Sequence, residues 1–494
     1  MSDTTMSDAT NDGSTAQDSV EIGQARRLDR AAEGLPPAPI RAVHLGVGNF
    51  FRAHQAWYTQ RANEAGSGRD SDGTDRWGIA AFTGRSAAIA DELAPSQGLY
   101  TLATKGPDGA SYETIDVLSA VHPADDIAAW CRYLASPQVA VVTSTVTEAG
   151  YRRAADGSLD LDDAGVSADL AALRANLDDP AAATLTTAPG RFVAGLLARR
   201  VAGIEEGLTF VPCDNVPENG PMVRRVVLDL AEQVDPELPS WIGDHVAFVT
   251  TMVDRITPRT TDADREALRQ ERGIEDPALV VTEPFVEWVL AGEFPGGRPA
   301  WDEAGARIVE DVAPFETRKL WLLNGSHSLM AYAATILGHE TVADAIADER
   351  VRGWVEQWWD VAASQLTLPA QEIDAYRAAL IERYENPNIR HLLAQIAADG
   401  SQKIPIRILP ALRDARAAGG DVSGATRAVA AWILHLRGLG APVNDAQESR
   451  VRPLVEGSLE DAVGAVLRDL GVEDAEVERL VLAQAQKLES LAAR

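Results

Sequence analysis

The sequence predicts an α/β fold, with a doubly wound N-terminal domain followed by a mostly α-helical C-terminal domain. Short apolar runs alternate with helical stretches between residues 40 and 300, as in parallel sheets that are covered by helices on both faces. After about residue 315, longer segments with helical periodicity replace these runs. We therefore expect a tail and linker over residues 1–39, one domain over 40–300 and a second over 301–494.

The N-terminal tail is polar, acidic and almost free of large apolar side chains over its first 20 residues. Such a segment buries too little surface to offset the chain entropy lost on folding, so we expect it to be disordered. Residues 21–39 end in Gly-Leu-Pro-Pro at 34–37, which is typical of a linker.

The first domain contains short apolar runs that read as buried strands, with helical stretches such as residues 53–58 and 222–233 between them. The expected strands are residues 42–46, 77–82, 139–144, 210–212 and 246–249. The second domain contains six segments with helical periodicity and a mixed polar and apolar composition. These expected helices are residues 320–337, 351–364, 372–384, 389–398, 426–439 and 461–470.

The composition excludes several classes of function. A formal net charge of −29 and a pI near 4.6 argue against nucleic acid and acidic membranes as partners, because both attract Lys and Arg. Cys131 and Cys213 have no paired spacing, no metal-binding motif occurs, and no apolar run of about 20 residues is present. We expect a cytoplasmic protein without a catalytic metal, and a monomer because no heptad seam is visible.

A glycine-rich turn follows the first expected strand. Gly46 and Gly48 stand where a strand leads into a helix, which is where a backbone approaches a pyrophosphate. The third glycine of the full Gly-x-Gly-x-x-Gly pattern is replaced by Phe51, and an ordinary turn would fit as well. The position of the turn favours a Rossmann-type dinucleotide-binding domain, with Arg52 placed to meet phosphate.

The end of the second expected strand carries no acidic residue that would bind a ribose 2′-hydroxyl. Instead, Arg85 stands there and suits either stacking on adenine or pairing with a 2′-phosphate. The choice between NAD and NADP therefore stays open at this point.

A lysine-centred cluster is expected in the second domain. Only four lysines occur, and Lys319 lies in an apolar helical stretch. At about 100° per residue, Asn324 and His327 fall about 140° and 80° from Lys319, within one arc of the helix. A desolvated lysine suits a general base, and the other two side chains suit hydrogen bonding to an alcohol oxygen. A solvated lysine with a capping asparagine and a core histidine would fit the same spacing.

Seven ordered blocks resemble the polyol-specific long-chain dehydrogenases, a family that includes mannitol 2-dehydrogenase and fructuronate (mannonate) reductase. The resemblance extends from about residue 40 to 470, and the K-x4-N-x2-H spacing together with VDRI is its most specific part. The blocks are GVGNFFRAHQA (46–56), TSTVTEAGY (143–151), PCDNVPENG (212–220), MVDRITP (252–258), TEPFVEWVL (282–290), KLWLLNGSH (319–327) and DGSQK (399–403).

The resemblance implies a metal-independent oxidoreductase that uses NAD, with Lys319 as general base and Glu316 gating proton exchange. It implies that Asn215 and Asn324 hold the reacting oxygen and that His327 orients the substrate. Asp254 and Lys403 look like substrate-pocket positions, although Asp254 could form an ordinary ion pair with Arg255 and Asn215 could cap a turn. The positions assigned to the cofactor are Gly46, Gly48, Asn49, Phe50, Arg52, Arg85, Thr145 and Glu148.

One departure bears on the substrate. Gln395 stands where mannitol dehydrogenases are expected to carry an arginine, and the surrounding run is more similar to fructuronate reductases. We therefore expect a small sugar acid or sugar alcohol, either D-mannonate/D-fructuronate or D-mannitol/D-fructose, with Gln395 and Arg390 in the substrate pocket. Two alternatives stay open: a dehydrogenase of mannitol 1-phosphate, with Arg390 and Arg407 as phosphate-binding candidates, and a non-catalytic NAD(P)-binding sensor.

Overall fold

The computed structural model describes residues 25–66 and 75–492. Within these ranges the strands are β1 (Ile40–Leu45), β2 (Gly78–Phe82), β3 (Tyr100–Gly106), β4 (Gly109–Ile115), β5 (Leu118–His122), β6 (Val141–Ser144), β7 (Leu208–Pro212), β8 (Val246–Phe248), β9 (Thr250–Asp254), β10 (Val280–Thr282), β11 (Glu287–Ala291) and β12 (Arg307–Ile308).

The α-helices in the same ranges are α1 (Arg30–Glu33), α2 (Asn49–Ala53), α3 (Gln55–Gly66), α4 (Ala88–Leu93), α5 (Ile127–Leu134), α6 (Ala164–Ala175), α7 (Ala188–Val201), α8 (Asn219–Val234), α9 (Leu238–His245), α10 (Asp262–Arg272), α11 (Ala313–Arg318), α12 (Ser326–Ile336), α13 (Val342–Ala347), α14 (Glu349–Ala363), α15 (Ala370–Glu385), α16 (Leu393–Ile396), α17 (Gly400–Arg407), α18 (Leu409–Ala417), α19 (Ser423–Leu436), α20 (Glu448–Val451), α21 (Leu459–Asp469) and α22 (Ala475–Ala492). A π-helix, Lys319–Gly325, joins α11 to α12, and 3-10 turns occupy Glu148–Tyr151, Pro180–Ala182 and Arg452–Val455.

A six-stranded parallel sheet forms the first half of the molecule, with the order β5-β2-β1-β6-β7-β8. This is the order of a doubly wound dinucleotide-binding sheet, whose ligand site lies where the order reverses, here between β1 and β6. Leu45 of β1 pairs with both Phe82 of β2 and Ser144 of β6, so the carboxyl ends of the three strands lie together. The sheet therefore places the Gly46 turn at its expected ligand-binding edge.

All five strands expected from the sequence lie in this sheet, but the sixth, β5, is not predicted. Strand β5 occupies an edge, and all but the first of its five residues are partly exposed. In β5 the polar residues Ser119 and His122 interrupt the continuous apolar run that marks a buried strand, so its sequence carries a weaker signal.

Helices cover both faces of the sheet, because successive side chains of β1 point to opposite faces. Val43 and Leu45 pack with Trp130 of α5 and Leu196 of α7, whereas Ala42 packs with α2 and α3 on the other face. Two smaller sheets, β10-β3-β4 and β12-β11-β9, flank this domain. The second of them carries Asp254 at the end of β9, opposite Glu287 of β11.

The second half of the molecule is helical and has its own core, built around α12, α14, α19 and α22. Helix α19 is buried along nearly its whole length, as its apolar sequence AVAAWILHL requires. Six described helices of this half lie outside the six predicted segments, namely α11, α13, α17, α18, α20 and α22. Helix α17 has an internal proline, Pro405. Most of the predicted helix 389–398 is wrong: only Leu393–Ile396 is helical, and Leu392 forms a β-bridge with Thr341.

The expected N-terminal tail lies outside the described residues up to position 24. Residues 25–39, predicted as a linker, are instead folded against the first domain. Leu28 is buried, and Arg30 donates hydrogen bonds to the carbonyls of Leu35, Gln97, Asp116 and Leu118. In the described ranges no helix combines the length and apolarity needed to cross a membrane.

Candidate active site

The π-helix Lys319–Gly325 carries the first two residues of the predicted catalytic cluster. The angles expected for Lys319, Asn324 and His327 are therefore wrong, because they assume an α-helix throughout. In a π-helix residue i bonds to residue i+5, so Lys319 and Asn324 are stacked one turn apart. His327 follows in the first turn of α12. Single π turns inside α-helices occur frequently at functional sites.

Two tryptophans of α14 hold this π-helix in place. Trp358 Nε1 donates to the Trp321 carbonyl and Trp359 Nε1 to the Leu322 carbonyl, each at 2.9 Å. Both indole side chains are buried. Carbonyls that a wider helical turn leaves poorly bonded are thus satisfied from the neighbouring helix.

Lys319 is fixed between the two halves of the molecule. Its Nζ donates to Asn215 Oδ1 at 2.7 Å and to the Val253 carbonyl at 2.6 Å. Asn215 follows the carboxyl end of β7, and Val253 lies in β9. Burial lowers the pKa of Lys319, although Asp254 opposes this shift. An amine with a lowered pKa is available as a base nearer neutral pH than a solvated lysine.

A buried ionic triad, which we define as Asp254, Arg383 and Glu283, lies beside this lysine. Arg383 donates to both oxygens of Asp254 at 2.9 and 3.1 Å, and to both oxygens of Glu283 at 3.0 and 2.7 Å. Burial alone would raise the pKa of Asp254, but Arg383 and Lys319 outweigh it and hold that pKa below the ordinary value. Burial raises the pKa of Glu283 despite its bonds to Arg383. Asp254 is thus ionised, and the positive charges of Arg383 and Lys319 balance its negative charge.

His327 and Asn324 present polar atoms that the described protein leaves free. His327 is buried, and its Nε2 has no hydrogen-bond partner within the described ranges. Burial, together with His391 5.0 Å away between ring centroids, lowers the pKa of His327 well below its ordinary value, so the ring stays neutral. The half-buried Asn324 side chain likewise makes no hydrogen bond to residues 25–66 or 75–492. Both side chains are available to a substrate.

Glu316 lies one turn before Lys319, in α11. Burial raises its pKa to about 6, and the neighbouring carboxylate of Glu218 adds to the shift while Lys319 opposes it. Glu218 itself stands in the left-handed region, with φ of 51°, at the start of α8. A carboxylate that titrates near pH 6 can both accept and release a proton close to neutrality.

The Gly46 turn is built as a dinucleotide site requires. Gly46 has φ of 109°, and a Cβ there would lie 2.7 Å from Thr145 Oγ1, so only glycine fits. At Gly48 a Cβ would meet nothing of the described protein closer than 3.6 Å, so the backbone is open toward the edge of the sheet. Thr145 donates to the Gly46 carbonyl at 2.7 Å and joins β6 to the turn.

Arg52 lies behind this turn rather than facing outward. It is 3% exposed and donates to the Gly48 carbonyl, the Asn49 side chain and the Ala278 carbonyl. The structure therefore gives Arg52 a supporting contact with the turn and not the phosphate contact expected from the sequence. Phe50 stacks on His54, with ring centroids 4.9 Å apart.

Two further predicted cofactor positions are exposed at the same edge of the sheet. Arg85 follows β2 without an ion-pair partner in the described chain, and Glu148 pairs with Arg153 at 2.9 Å. No acidic residue stands between Phe82 and Ala90. This loop would therefore meet the adenosine half of a dinucleotide with a cation rather than a carboxylate.

The predicted substrate positions of the helical domain are not all brought together. Lys403 donates its Nζ to the carbonyls of Ile396 and Ala398, so it closes the end of α16. Gln395 is exposed, and Arg390 is an exposed side chain 3.9 Å from Glu340. None of these three contacts Lys319 or Asn215 through a hydrogen bond in the described residues.

Sequence analysis misses Arg383, Glu283 and His391. A buried aspartate in the VDRI block needs a counter-charge, but nothing in the sequence indicates which arginine supplies it. Arg383 lies 129 residues from Asp254 along the chain. Glu283 lies in the TEPFVEWVL block, and this motif is the feature of the sequence that could have pointed to it.

A cavity of about 720 Å³ lies away from this site. Arg41, Trp77 and Asp116 line it at the amino ends of β1 and β2, opposite the edge that carries the Gly46 turn. In doubly wound sheets ligands bind at the carboxyl ends. Over the part of the chain that the structure describes, no three His, Cys, Asp or Glu side chains are grouped to hold a metal ion.

Comparisons with known proteins agree with this geometry. Residues 40–303 match the family described as the mannitol dehydrogenase Rossmann domain, and residues 311–491 match the mannitol dehydrogenase C-terminal domain. The D-mannonate oxidoreductase of Escherichia coli (strain K12) is 39% identical over 407 residues, which are 81% of this chain and 80% of that protein.

Two solved structures share the whole architecture. Mannitol 2-dehydrogenase of Pseudomonas fluorescens, in a ternary complex with NAD and D-mannitol, is 31% identical with a TM-score of 0.73, covering 94% of this chain and 96% of that one. A substrate-free D-sorbitol dehydrogenase is 27% identical with a TM-score of 0.83, covering 95% and 99%. The predicted family and the predicted α/β Rossmann-type fold with a helical C-terminal domain are thereby confirmed. The chain belongs to the mannitol dehydrogenase family of oxidoreductases.

Proposed function

We propose that this chain is an NAD-dependent dehydrogenase that interconverts a secondary alcohol and a ketone of a hexonate or hexitol, with Lys319 as the general base. The observation that carries the proposal is the lysine with lowered pKa, held by Asn215 and the Val253 carbonyl beside a dinucleotide-type sheet edge. The pairs D-mannonate/D-fructuronate and D-mannitol/D-fructose are the substrates to assay, with NADH and NADPH. Inertness toward every keto-uronate and ketose would overturn the proposal.

In this proposal residues 40–300 bind NAD and residues 301–494 supply the base. The glycines of the turn, Asn49, Phe50 and Thr145 would hold the cofactor, with Arg85 and Glu148 at its adenosine side. The open backbone at Gly48 supports this assignment, and the related mannitol 2-dehydrogenase holds NAD. A nicotinamide cofactor held there would supply the acceptor for the hydride that leaves the alcohol carbon. The exposed Arg85 makes NADP the second cofactor to test.

The protein's own contribution is to manage the alcohol proton and the oxygen. The neutral amine of Lys319 takes the proton as the carbon–oxygen double bond forms. Because Asn215 Oδ1 already accepts from Lys319, its amide NH₂ is left to donate to the reacting oxygen. The free amide of Asn324 donates from the other side, and the neutral His327 bonds a neighbouring hydroxyl without adding charge.

Lys319 must lose its proton again after each turnover. Glu316, one turn earlier with a pKa near 6, is the group we assign to this step. Asp254 keeps the protonated amine from becoming too acidic, since it opposes the effect of burial. A binding protein without turnover would not need a base with lowered pKa, so these features favour an enzyme over a sensor.

The pH dependence of oxidation tests the role of Glu316. The glutamate must be ionised to accept the proton, so the rate of alcohol oxidation should rise through about pH 6. In Glu316→Gln this limb should disappear, with a loss of up to about 100-fold above it. Glu218→Gln removes a neighbouring negative charge and should move the limb to lower pH. An unchanged profile in both variants would contradict this assignment.

Glycine substitutions test the cofactor turn. Gly48→Ala should leave thermal stability within about 0.5 kcal/mol because its Cβ meets no protein atom within 3.4 Å. It should nevertheless weaken NAD binding by about 10-fold if a phosphate approaches the backbone there. Gly243→Ala, at a position in α9 with nothing within 4 Å, is the matched control; it should leave NAD affinity unchanged and raise stability by about 0.5–1 kcal/mol, because alanine favours a helix interior over glycine. Titration calorimetry with NAD measures the effect, and equal affinities for all three proteins would move the site elsewhere.

A further inference from the structure

Arg407 is a largely buried cation for which the described residues supply no carboxylate. Its Nη1 donates two long hydrogen bonds, to the Asn324 carbonyl and to Ser328 Oγ, both at 3.3 Å. Its Nε is buried and has no partner. Burial lowers the pKa of Arg407, and the acidic group that opposes this shift is the phenol of Tyr332. The guanidinium is therefore under-bonded and lacks a counter-ion.

Other buried arginines of the described residues also have an unbonded Nε, among them Arg199 and Arg318, but each of them has a carboxylate that bonds the guanidinium or opposes the effect of burial on its pKa. Arg318 bonds both oxygens of Glu287 at 2.6 Å, and Arg383 bonds two carboxylates. Arg199, which has no carboxylate bond, donates to three carbonyls at 2.9 to 3.0 Å. Burying a guanidinium is costly unless it is paired and hydrogen-bonded. Arg407 differs from these arginines because no carboxylate of the described residues bonds it or opposes the effect of burial on its pKa, and a bound anion would supply that charge.

Arg407 lies next to the helix that carries the candidate active site. Arg407 lies against the backbone of Asn324, and its charge contributes to the lowered pKa of His327. The free Nε2 of His327 and the free Asn324 amide are therefore its polar neighbours on the catalytic helix. Lys403 stands one turn earlier on α17, but its Nζ is already bound to two carbonyls. Arg390 is solvent-exposed and lies near Glu340.

We propose that Arg407 binds the carboxylate of the substrate, so that the substrate class is a sugar acid rather than a sugar alcohol. The inference rests on the proposed function and narrows it. Arg407 is the one of these three cations that bonds the backbone of the catalytic helix, whereas Lys403 bonds two carbonyls of another segment and Arg390 is solvent-exposed. A single guanidinium matches the one negative charge and the two oxygens of a carboxylate. A phosphate dianion would call for a second cation at the same place, but Lys403 is already bonded to two carbonyls and Arg390 lies in solvent near Glu340.

Steady-state kinetics with NAD and either D-mannonate or D-mannitol test this inference. The unmodified enzyme should prefer the acid. Arg407→Met should lower kcat/KM for the acid by about 10- to 100-fold, mainly through KM, and change that for mannitol by less than about 3-fold. Arg407→Lys keeps the positive charge but loses the planar pair of N–H donors that bonds both carboxylate oxygens. Its kcat/KM for the acid should therefore lie between those of the unmodified enzyme and Arg407→Met. Arg479→Gln removes an exposed arginine on α22 that pairs with Glu476 and is the control for net charge.

The outcomes separate the two proposals. Equal losses of kcat/KM on both substrates would overturn the carboxylate assignment and show that Arg407 only supports the helix. A preference of the unmodified enzyme for mannitol or for mannitol 1-phosphate would also overturn it. Either result would leave the proposed function intact. Absence of all turnover would instead overturn the proposed function. In that case, calorimetric binding of D-mannonate still tests Arg407, because its affinity should drop about 10-fold or more in Arg407→Met and not in Arg479→Gln.

Discussion

Lys319→Ala is expected to lower kcat by about 10²- to 10⁴-fold while leaving NAD binding nearly unchanged. The amine combines a lowered pKa with a position fixed by Asn215 and the Val253 carbonyl. Its removal takes away the proton acceptor but leaves the Gly46 turn untouched. Stopped-flow kinetics of alcohol oxidation and calorimetric titration with NAD measure the two quantities separately.

Lys319→Arg distinguishes a base from a mere positive charge. Arginine keeps the charge but is never deprotonated in proteins, so it cannot accept a proton. We expect this variant to be nearly as inactive as Lys319→Ala. Added methylamine at alkaline pH should partly restore the activity of the alanine variant, because it supplies a neutral amine as base. Lys487→Ala, at an exposed position on α22, should retain full activity. High activity of the arginine variant would show that Lys319 acts through its charge alone.

Arg383→Met is expected to be the most destabilising single change, at about 3–5 kcal/mol. It would leave Asp254 and Glu283 buried without the guanidinium that bonds both carboxylates. Thermal and urea unfolding of the variant measure the loss. Because unpaired buried carboxylates prefer to be protonated, the deficit relative to the unmodified protein should shrink as the pH falls from about 8 to about 5.

Two comparisons isolate the charge effect. Arg416→Met breaks an exposed ion pair with Asp474 and should cost no more than about 1 kcal/mol. Combining Arg383→Met with Asp254→Asn and Glu283→Gln removes all three charges, so much of the lost stability should return. A deficit in Arg383→Met no larger than that in Arg416→Met would mean that the triad is not buried and coupled as described.

The fold was predictable in those segments whose local hydrophobic pattern matches the place they take in the tertiary structure. Five of the six strands of the parallel sheet have continuous apolar runs, whereas the partly exposed edge strand β5 does not. The helix expected over 389–398 failed because Leu392 pairs with Thr341 instead, a contact that no local periodicity encodes. Tertiary pairing overrides propensity in such segments.

The candidate site was predictable in its residues but not in its geometry. Lys319, Asn215 and Asp254 stand in recognisable blocks, and the structure brings them together. The partner of Asp254 was not predictable, since Arg383 is remote in sequence and has no motif of its own. Lys403 lies in the DGSQK block and was expected to face the substrate. In the structure its amine instead donates to two carbonyls at the end of α16.

The π-helix makes the spacing of the catalytic groups depend on the number of residues as well as on their identity. Deleting one residue between Lys319 and Asn324 would let the segment relax to an ordinary α-helix, whose apolar side chains could still be accommodated. Because a π turn holds about one residue more than an α turn, His327 would keep roughly its direction from the lysine. The loss would instead be felt in the neighbouring helix. In an α-helix the Trp321 and Leu322 carbonyls would bond within their own helix, and the buried indole N–H groups of Trp358 and Trp359 would compete for the same acceptors.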